Sequence, residues 1–292
     1  MVSASIGIIF AFVAMLCWGF GDFLIQRSTR RLGDWETLFL ITLFGTIILF
    51  PFSFSKIGSF LESSGVSFWV VIIASGAMLV AAISEFESLR RGKITVVEPI
   101  WSMEIPMSVF LAFIILNEKL STGSLLLIAL LIVGLVLVSA RETSHFKKFF
   151  LEKGAILALF AALGMGATNF LVGWGARETD PIFVNFVMNV ILTFGAGLFL
   201  LAKGRLKQVF YDFKNNPYSL GTMVIADNVA WIAFAFAMTL APIGIAVALS
   251  ESYIIIAVLL GFFINKERLQ IHQKIGLALA IVSAIILSSF IV

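Results

Sequence analysis

Three carboxylates stand deep inside long apolar segments of this sequence, where ionisable side chains are rarely tolerated: Glu104, Asp227 and Glu251. A charged side chain at the centre of a membrane helix costs about 2.5–3.5 kcal/mol. No lysine or arginine lies equally deep in these segments, so burial favours the protonated form of the three acids. The pattern predicts groups that exchange protons or attract a cation. The alternative is a neutral acid that is hydrogen-bonded into a helix contact.

Two prolines accompany the acids of the fourth apolar segment. Glu98 is followed by Pro99, and Glu104 is followed two residues later by Pro106. A proline inside a helix frees a backbone carbonyl, and such groups at membrane depth line a cavity or a binding site. We therefore expect a break in this helix beside Glu98 and Glu104, although a simple packing kink is the alternative.

Two further acids lie near segment ends, where arginines are close. Asp22 is followed by Arg27 and Arg30, and either arginine could form an ion pair with it. Asp22 also remains a candidate site residue. Glu85 precedes Arg90 and Arg91, and we expect a structural ion pair there.

Aromatic and amide side chains accompany the deep acids. Trp231 lies one turn after Asp227 on the same helical face, and Trp101 lies between the two acids of the fourth segment. An acid beside an aromatic wall suits an amine or another organic cation. Amides could line a polar cavity, or they could join helices as hydrogen-bonded contacts. The candidates are Asn169, Asn185, Asn189 and Asn228.

Composition decides which elements must position these residues. Of the 292 residues, 60% are hydrophobic and 13% are charged, and the mean hydropathy is +1.07. These values exclude a soluble enzyme and a nucleic-acid-binding domain, and Cys17 alone excludes an intrachain disulfide. Ten runs are long enough to span a bilayer as helices, so we expect an all-α polytopic membrane protein. The runs are about 6–26, 37–55, 67–87, 94–116, 123–140, 154–174, 181–202, 218–240, 244–264 and 273–291.

The ten spans divide into two similar halves. Residues 19–24 match residues 166–171, and residues 117–120 match residues 266–269. Five spans per copy force the second copy to lie upside down in the membrane. Loop charges agree, because 17 of the 20 lysines and arginines fall on one side and 3 on the other. We predict two inverted five-helix repeats, 1–141 and 154–292, a cytoplasmic linker 142–153, and both termini outside the cytoplasm.

The pattern resembles the drug/metabolite transporter superfamily, in its EamA-like branch. The resemblance is carried by residues 113–121, their echo at 262–270, Pro106 and Gly276. It implies a central cavity lined by spans 1, 3, 4, 6, 8 and 9, with spans 5 and 10 as a scaffold. It also implies the transport of metabolites, often as export. By their position at helix ends, Glu118 and Glu267 are interpreted as structural.

These observations predict a secondary transporter in the cell membrane that exchanges protons for an amine, an amino acid or an organic cation. It needs no cofactor, metal or nucleic acid, and it acts as a monomer or a homodimer. Two alternatives are an intramembrane enzyme and a non-transporting membrane subunit. Residues 19–22 fit the GxGD pattern of intramembrane aspartyl proteases, but the Tyr211–Asp212 pair lies in a charged loop and in the wrong order.

Overall fold

The computed structural model describes residues 2–91, 100–139, 154–264 and 269–289, and every regular element in these ranges is an α-helix. The first half contains α1 (Val2–Leu32), α2 (Asp34–Glu62), α3 (Val66–Arg91), α4 (Glu104–Leu116) and α5 (Thr122–Ser139). The second half contains α6 (Ala155–Glu178), α7 (Pro181–Ala202), α8 (Leu206–Asn215), α9 (Pro217–Leu240), α10 (Ile243–Ser250), α11 (Tyr253–Ile264) and α12 (Ile271–Ser289).

The helices account for the ten predicted spans. Within the described ranges, nine segments are long and apolar enough to cross a membrane, and the ninth span combines α10 with the start of α11. The shorter apolar helix α4 covers the second part of the fourth span. The residues before it, 92–99, lie outside the described part of the chain, as does the predicted linker 142–153. The all-α polytopic fold is confirmed.

The connector 203–217, predicted only as polar, contains the amphipathic helix α8. Its apolar residues recur three and four positions apart and form one face. Val209 on this face is buried, and the ring of Phe213 lies 4.8 Å from the ring of Phe44 on α2. The helix therefore lies against the end of the bundle instead of crossing it.

The helix packing has an internal twofold pattern. The main interfaces join α1 with α9, α3 with α6, α2 with α7 and α5 with α12. By their order in the two repeats, α1 corresponds to α6, α2 to α7, α3 to α9 and α5 to α12. The α1–α9 interface is therefore equivalent to the α6–α3 interface. The α2–α7 and α5–α12 interfaces each join two equivalent helices. This is the packing expected of two inverted repeats.

Two glycines allow the closest of these crossings. A Cβ atom on Gly134 of α5 would lie 2.7 Å from the backbone nitrogen of Ala280, and one on Gly276 of α12 would lie 2.7 Å from the Gly134 carbonyl oxygen. Small residues at a membrane-helix interface let the backbones approach, and here they join the last span of each repeat.

Side-chain contacts define the two ends of the bundle. Lys56 Nζ lies 2.7 Å from Asp180 Oδ2, and Arg177 Nη1 lies 3.0 Å from Glu118 Oε2, so these connections share one end, named here the Arg177 end. At the opposite end, Arg205 Nη2 lies 2.9 Å from Glu36 Oε1. This grouping of connections agrees with the one that the loop charges predict.

Candidate functional site

Two of the spans are interrupted at corresponding positions. In the fourth span, a turn at 102–103 precedes Glu104, the first residue of α4. In the ninth span, a turn at 251–252 separates α10 from α11, and Glu251 is the C-cap of α10. Two of the three deep acids therefore lie at helix interruptions, one in each repeat.

The two turns have the same local geometry. Met103 has φ −70° and ψ −10°, and Glu251 has φ −67° and ψ −7°. In each turn a backbone N–H donates to the carbonyl three residues earlier: from Met103 to Ile100 at 3.0 Å, and from Ser252 to Leu249 at 3.2 Å. Such tight bonds interrupt the regular helical ladder beside the acid.

Only the first interruption has an evident sequence signal. Pro106 lies in the first turn of α4, where its missing N–H would have had no partner within the helix. The ninth span contains no proline at its turn, and the sequence analysis treated it as continuous. The available signal was the internal repeat. Lys119 and Arg268 are equivalent positions separated by 149 residues, and Ser102 and Glu251 have the same separation. A turn at Ser102 in the first repeat therefore predicts a turn at Glu251 in the second.

Asn169 of α6 joins the two interruptions. Its Nδ2 donates a hydrogen bond to Glu104 Oε2 at 3.3 Å and another to Glu251 Oε1 at 3.2 Å. The side chain is only 1% exposed. Its Oδ1 is buried, and no described residue donates a hydrogen bond to it. We name Glu104, Asn169 and Glu251 the acid–amide cluster.

A glycine one turn earlier on α6 permits this contact. A Cβ atom on Gly166 would lie 2.5 Å from the Glu104 carbonyl oxygen, so only glycine lets α4 approach so closely. Ser108 of α4 fixes the crossing, because its Oγ lies 2.7 Å from the Gly166 carbonyl oxygen and 3.0 Å from that of Glu104. Asn169 then projects from the same face as Gly166, three residues later.

A third acid approaches the cluster from α3. Glu85 interacts electrostatically with Glu251. The sequence instead predicted an ion pair with Arg90 or Arg91, whose side chains lie outside the described residues. The approach of Glu85 follows from the packing of α3 on α6, and sequence reasoning had no signal for it.

The other acids predicted for the site lie elsewhere or are not described. Asp227 on α9 is 9% exposed, and the described part of the chain offers its side chain no hydrogen bond or ion pair. It does not share the hydrogen bonds of Asn169. Four other predicted positions lie outside the described residues: the side chain of Asp22, and Glu98, Pro99 and Glu267.

The two predicted tryptophans belong to different clusters. The ring of Trp231 lies 5.2 Å from that of Trp18, which lies 6.3 Å from the ring of Tyr253 at the start of α11. Trp101 instead packs against a small cluster formed by Ile100 and the alanines at the start of α6, Ala155, Ala158 and Ala162. The aromatic wall next to the interruption in the ninth span therefore comes from α1, α9 and α11, and sequence analysis missed Trp18 and Tyr253.

The remaining asparagines join helices. Asn185 Nδ2 donates to the carbonyl oxygen of Trp231 at 3.2 Å. Asn189 Nδ2 donates to Asn228 Oδ1 at 3.2 Å, and Asn228 Nδ2 donates to the carbonyl oxygen of Ile41 at 3.1 Å. These bonds link α2, α7 and α9. Of the two roles considered for the amides, lining a cavity or joining helices, all three asparagines therefore have the second.

A hydrogen-bonded group around one carboxylate, Glu118, forms at the Arg177 end. Arg177 Nε donates to the Met238 carbonyl oxygen at 2.7 Å and Nη2 to that of Ala241 at 2.9 Å, while Nη1 lies 3.0 Å from Glu118 Oε2. The backbone N–H of Gly244 donates to Glu118 Oε1 at 3.3 Å. These five residues, named the arginine clamp, tie together the ends of four spans. The structural role predicted for Glu118 agrees with this arrangement.

A cavity of about 580 Å³ opens beside the arginine clamp. Its lining includes Phe10 of α1, Arg177 of α6, Asp180 before α7 and Phe236 of α9, and it does not include the acid–amide cluster. Three of the five N–H groups of the Arg177 guanidinium are bonded to protein oxygens.

A metal site and the Tyr-Asp pair can be examined in the described part of the chain. No three His, Cys, Asp or Glu residues among the described ones are arranged to hold a metal ion. Asp212, the aspartate of the Tyr-Asp pair, lies on α8 and accepts a hydrogen bond from Gln208 at 2.9 Å. It is therefore outside the bundle of spans.

Comparison with known proteins decides the family. Residues 5–140 match the EamA-like transporter family, and residues 152–289 match it a second time. The chain belongs to the EamA-like transporter family. The resemblance seen in the sequence is thereby confirmed. Each matched range of this EamA-like transporter covers five of the predicted spans, except for the last two residues of the tenth.

Individual relatives agree with this membership. Two proteins from strains of Helicobacter pylori, each named an uncharacterized transporter, are 19% identical over 286 residues, covering 97% of this chain and 94% of their own length. One solved crystal structure superposes with a TM-score of 0.76 at 13% identity, covering 97% of this chain and 96% of the other. At that identity the superposition establishes the shared fold alone.

Proposed function

We propose that this EamA-like transporter exchanges protons for an amine-bearing or zwitterionic metabolite at the acid–amide cluster, by alternating access. One observation carries the proposal: a single buried amide is hydrogen-bonded to two carboxylates at the interruptions of the fourth and ninth spans. Interrupted spans near the interface of two inverted repeats are where transporters of this architecture bind substrate.

The charge of the cluster supports protons and a cation as competing ligands. Glu104 and Glu251 share one amide, and Glu85 adds a third acid within electrostatic range. Like charges held this close in a low-dielectric interior resist simultaneous ionisation. A proton or an ammonium group relieves the same repulsion, so each displaces the other. The ion pairs between described residues lie at the ends of the bundle, away from the cluster.

The arrangement of the helices supports alternating access. The cluster takes Glu104 from the first repeat, and Asn169 and Glu251 from the second, so a rocking motion of the repeats changes its exposure. With the Arg177 end outside, as the loop charges predict, an inward proton gradient drives the cargo out of the cell. The proposed location is the cell membrane.

The experiment begins with purified full-length protein in detergent. A thermal-shift panel at pH 6 and pH 8 contains amino acids, polyamines, quaternary amines, nucleotides and sugar phosphates. The best amine is then tested in proteoliposomes that contain a pH-sensitive dye. We expect amine-dependent proton flux, its loss in Glu104→Gln and in Glu251→Gln, and its retention in Glu62→Gln, a matched change at the exposed end of α2.

Two results would contradict the proposal. Stabilisation by phosphates alone would mean that the carboxylates are structural and that the cargo is anionic. Full pH-dependent transport in both Gln variants would mean that the cluster does not carry the proton. The membership of the family would stand in either case.

A further inference from the structure

We infer that the cargo presents a primary ammonium group and that Glu104, Glu251 and Asn169 each accept one of its three N–H hydrogen bonds. This inference rests on the proposed function, because it specifies which amines the acid–amide cluster binds. A primary ammonium has three donors and no acceptor. The cluster has the complementary composition of two carboxylates and one amide oxygen.

The buried amide oxygen is the observation that points to a ligand. Asn169 is 1% exposed, both hydrogen bonds of its Nδ2 go to the carboxylates, and its Oδ1 accepts no bond from a described residue. An acceptor left unpaired in a protein interior is costly. Asn185 Oδ1 is also buried and unpaired among the described residues, but the Asn185 amide donates to backbone carbonyls, whereas the Asn169 amide lies between two carboxylates. Asn169 Oδ1 belongs to the same amide group whose Nδ2 contacts both carboxylates.

A second buried polar atom lies in the interruption of the fourth span, next to Glu104. Ser102 is 4% exposed, and its Oγ has no hydrogen-bond partner among the described residues. It lies two positions before Glu104, within the interruption of the fourth span. The interruption therefore keeps unused hydrogen-bonding capacity beside the acid.

Other cations fit the cluster less well. A quaternary ammonium has no N–H to offer and would leave Asn169 Oδ1 unpaired. Its affinity would come from aromatic faces such as those of Trp18, Trp231 and Tyr253. A hydrogen-bonded site and an aromatic site therefore predict opposite orders of affinity as an amine is methylated.

A methylation series separates the two. The probes are benzylamine and its N-methyl, N,N-dimethyl and N,N,N-trimethyl derivatives, which all carry one positive charge at pH 7 and share the same ring. Their dissociation constants are measured by calorimetry on the purified full-length protein. We expect affinity to fall by about tenfold or more for each N–H replaced, because hydrogen bonds to charged groups are strong. In Asn169→Leu the preference for benzylamine over the trimethyl derivative should shrink.

The outcomes distinguish the inference from the proposed function. Equal or tighter binding of the trimethyl derivative to the wild-type protein, lost in Glu104→Gln, would overturn the three-acceptor inference and leave the cation transporter intact. Failure of all four amines to bind at pH 7, with binding of phosphate compounds instead, would overturn both. The series on the wild-type protein decides the question even if Asn169→Leu does not fold.

Discussion

The acid–amide cluster and the arginine clamp both contain glutamates, but the hydrogen-bond partners of these glutamates differ. In the clamp, Glu118 faces the Arg177 guanidinium and a backbone N–H, and every described bond is internal to the protein. In the cluster, Glu104 and Glu251 share the two hydrogens of one amide, and the amide oxygen stays unpaired. In the clamp a guanidinium faces the carboxylate, whereas in the cluster two carboxylates share a neutral amide.

The comparison sets a carboxylate in a structural ion pair beside two carboxylates of the candidate site. A carboxylate with a guanidinium partner at a bundle end stabilises the fold, because its charge is compensated at all times. A carboxylate inside the spans that shares a neutral amide with a second acid gains when a positive charge arrives. We therefore expect changes in the clamp to reduce stability first, and changes in the cluster to reduce transport first.

The largest stability effect is expected at Arg177. Arg177→Met removes the partner of Glu118 and the donors to the carbonyls of Met238 and Ala241. The free energy of unfolding should fall by about 2–3 kcal/mol, less than for a fully buried pair because Arg177 is partly exposed. Thermal unfolding in detergent measures this loss.

Two further variants sharpen that comparison. Arg177→Lys should recover part of the stability, because lysine keeps the charge but not the forked geometry. Glu251→Gln should unfold at or above the wild-type temperature. If Glu251→Gln were destabilised as strongly as Arg177→Met, the distinction between the two clusters would be wrong.

An intermediate effect is expected where α4 crosses α6. In Gly166→Ala, the new Cβ would lie 2.5 Å from the Glu104 carbonyl oxygen, so the helices must separate. The loss should be about 1–3 kcal/mol, as for other overpacked sites, and transport should fall with it because Asn169 moves away from Glu104.

The matched control lies two residues earlier on the same helix. A Cβ atom on Gly164 would meet Ala81 at an ordinary 3.5 Å. Gly164→Ala should therefore keep both stability and transport. Equal damage in the two variants would indicate a general intolerance of α6 rather than a specific contact with α4.

The smallest effect is expected at Asp180, outside the spans. Partial burial disfavours its charge, but the hydrogen bond from Lys56 and the backbone N–H groups of Phe183 and Ile182 outweigh burial, so the pKa of Asp180 lies below its ordinary value. Its contribution to stability is fully present above the unfolded pKa, about 4, and is lost as pH falls through the lowered folded pKa.

Two substitutions at Asp180 separate its two roles. Asp180→Asn keeps a good helix cap and should cost about 0.2–1 kcal/mol at pH 7, whereas Asp180→Ala also loses the cap and should cost about 1–2 kcal/mol. Melting temperatures from pH 7 down to pH 3 provide the test. A wild-type advantage over Asp180→Asn that grows on acidification would contradict the assigned sign.

The sequence predicted the residues of the candidate site because a polar side chain in an apolar span is easily recognised. Glu104, Glu251 and Asn169 were all candidates, since each polar group stands in an apolar run. Their grouping was not predictable, because Asn185 and Asn189 have the same character in the sequence. Only the packing of α7 on α2 and α9 assigns those two amides to helix contacts.

The interruption at Glu251 and the approach of Glu85 were less accessible. A turn without proline or glycine has no local signal, and the turn at 251–252 is visible only in the structure or through the repeat register. Because Arg90 and Arg91 follow Glu85 in the chain, the sequence predicts a structural ion pair for Glu85. Its nearness to Glu251 depends on helices far apart in the sequence.

The sequence by itself determined the spans, the inverted repeat and the acids inside the membrane. Each of these follows from local composition, because lipid demands apolar helices of fixed length and loop charge orients them. Only the tertiary structure decided which acids share an amide and which amides join helices. Those choices depend on which helix faces pack, and close packing at glycines such as Gly166 is a property of helix pairs.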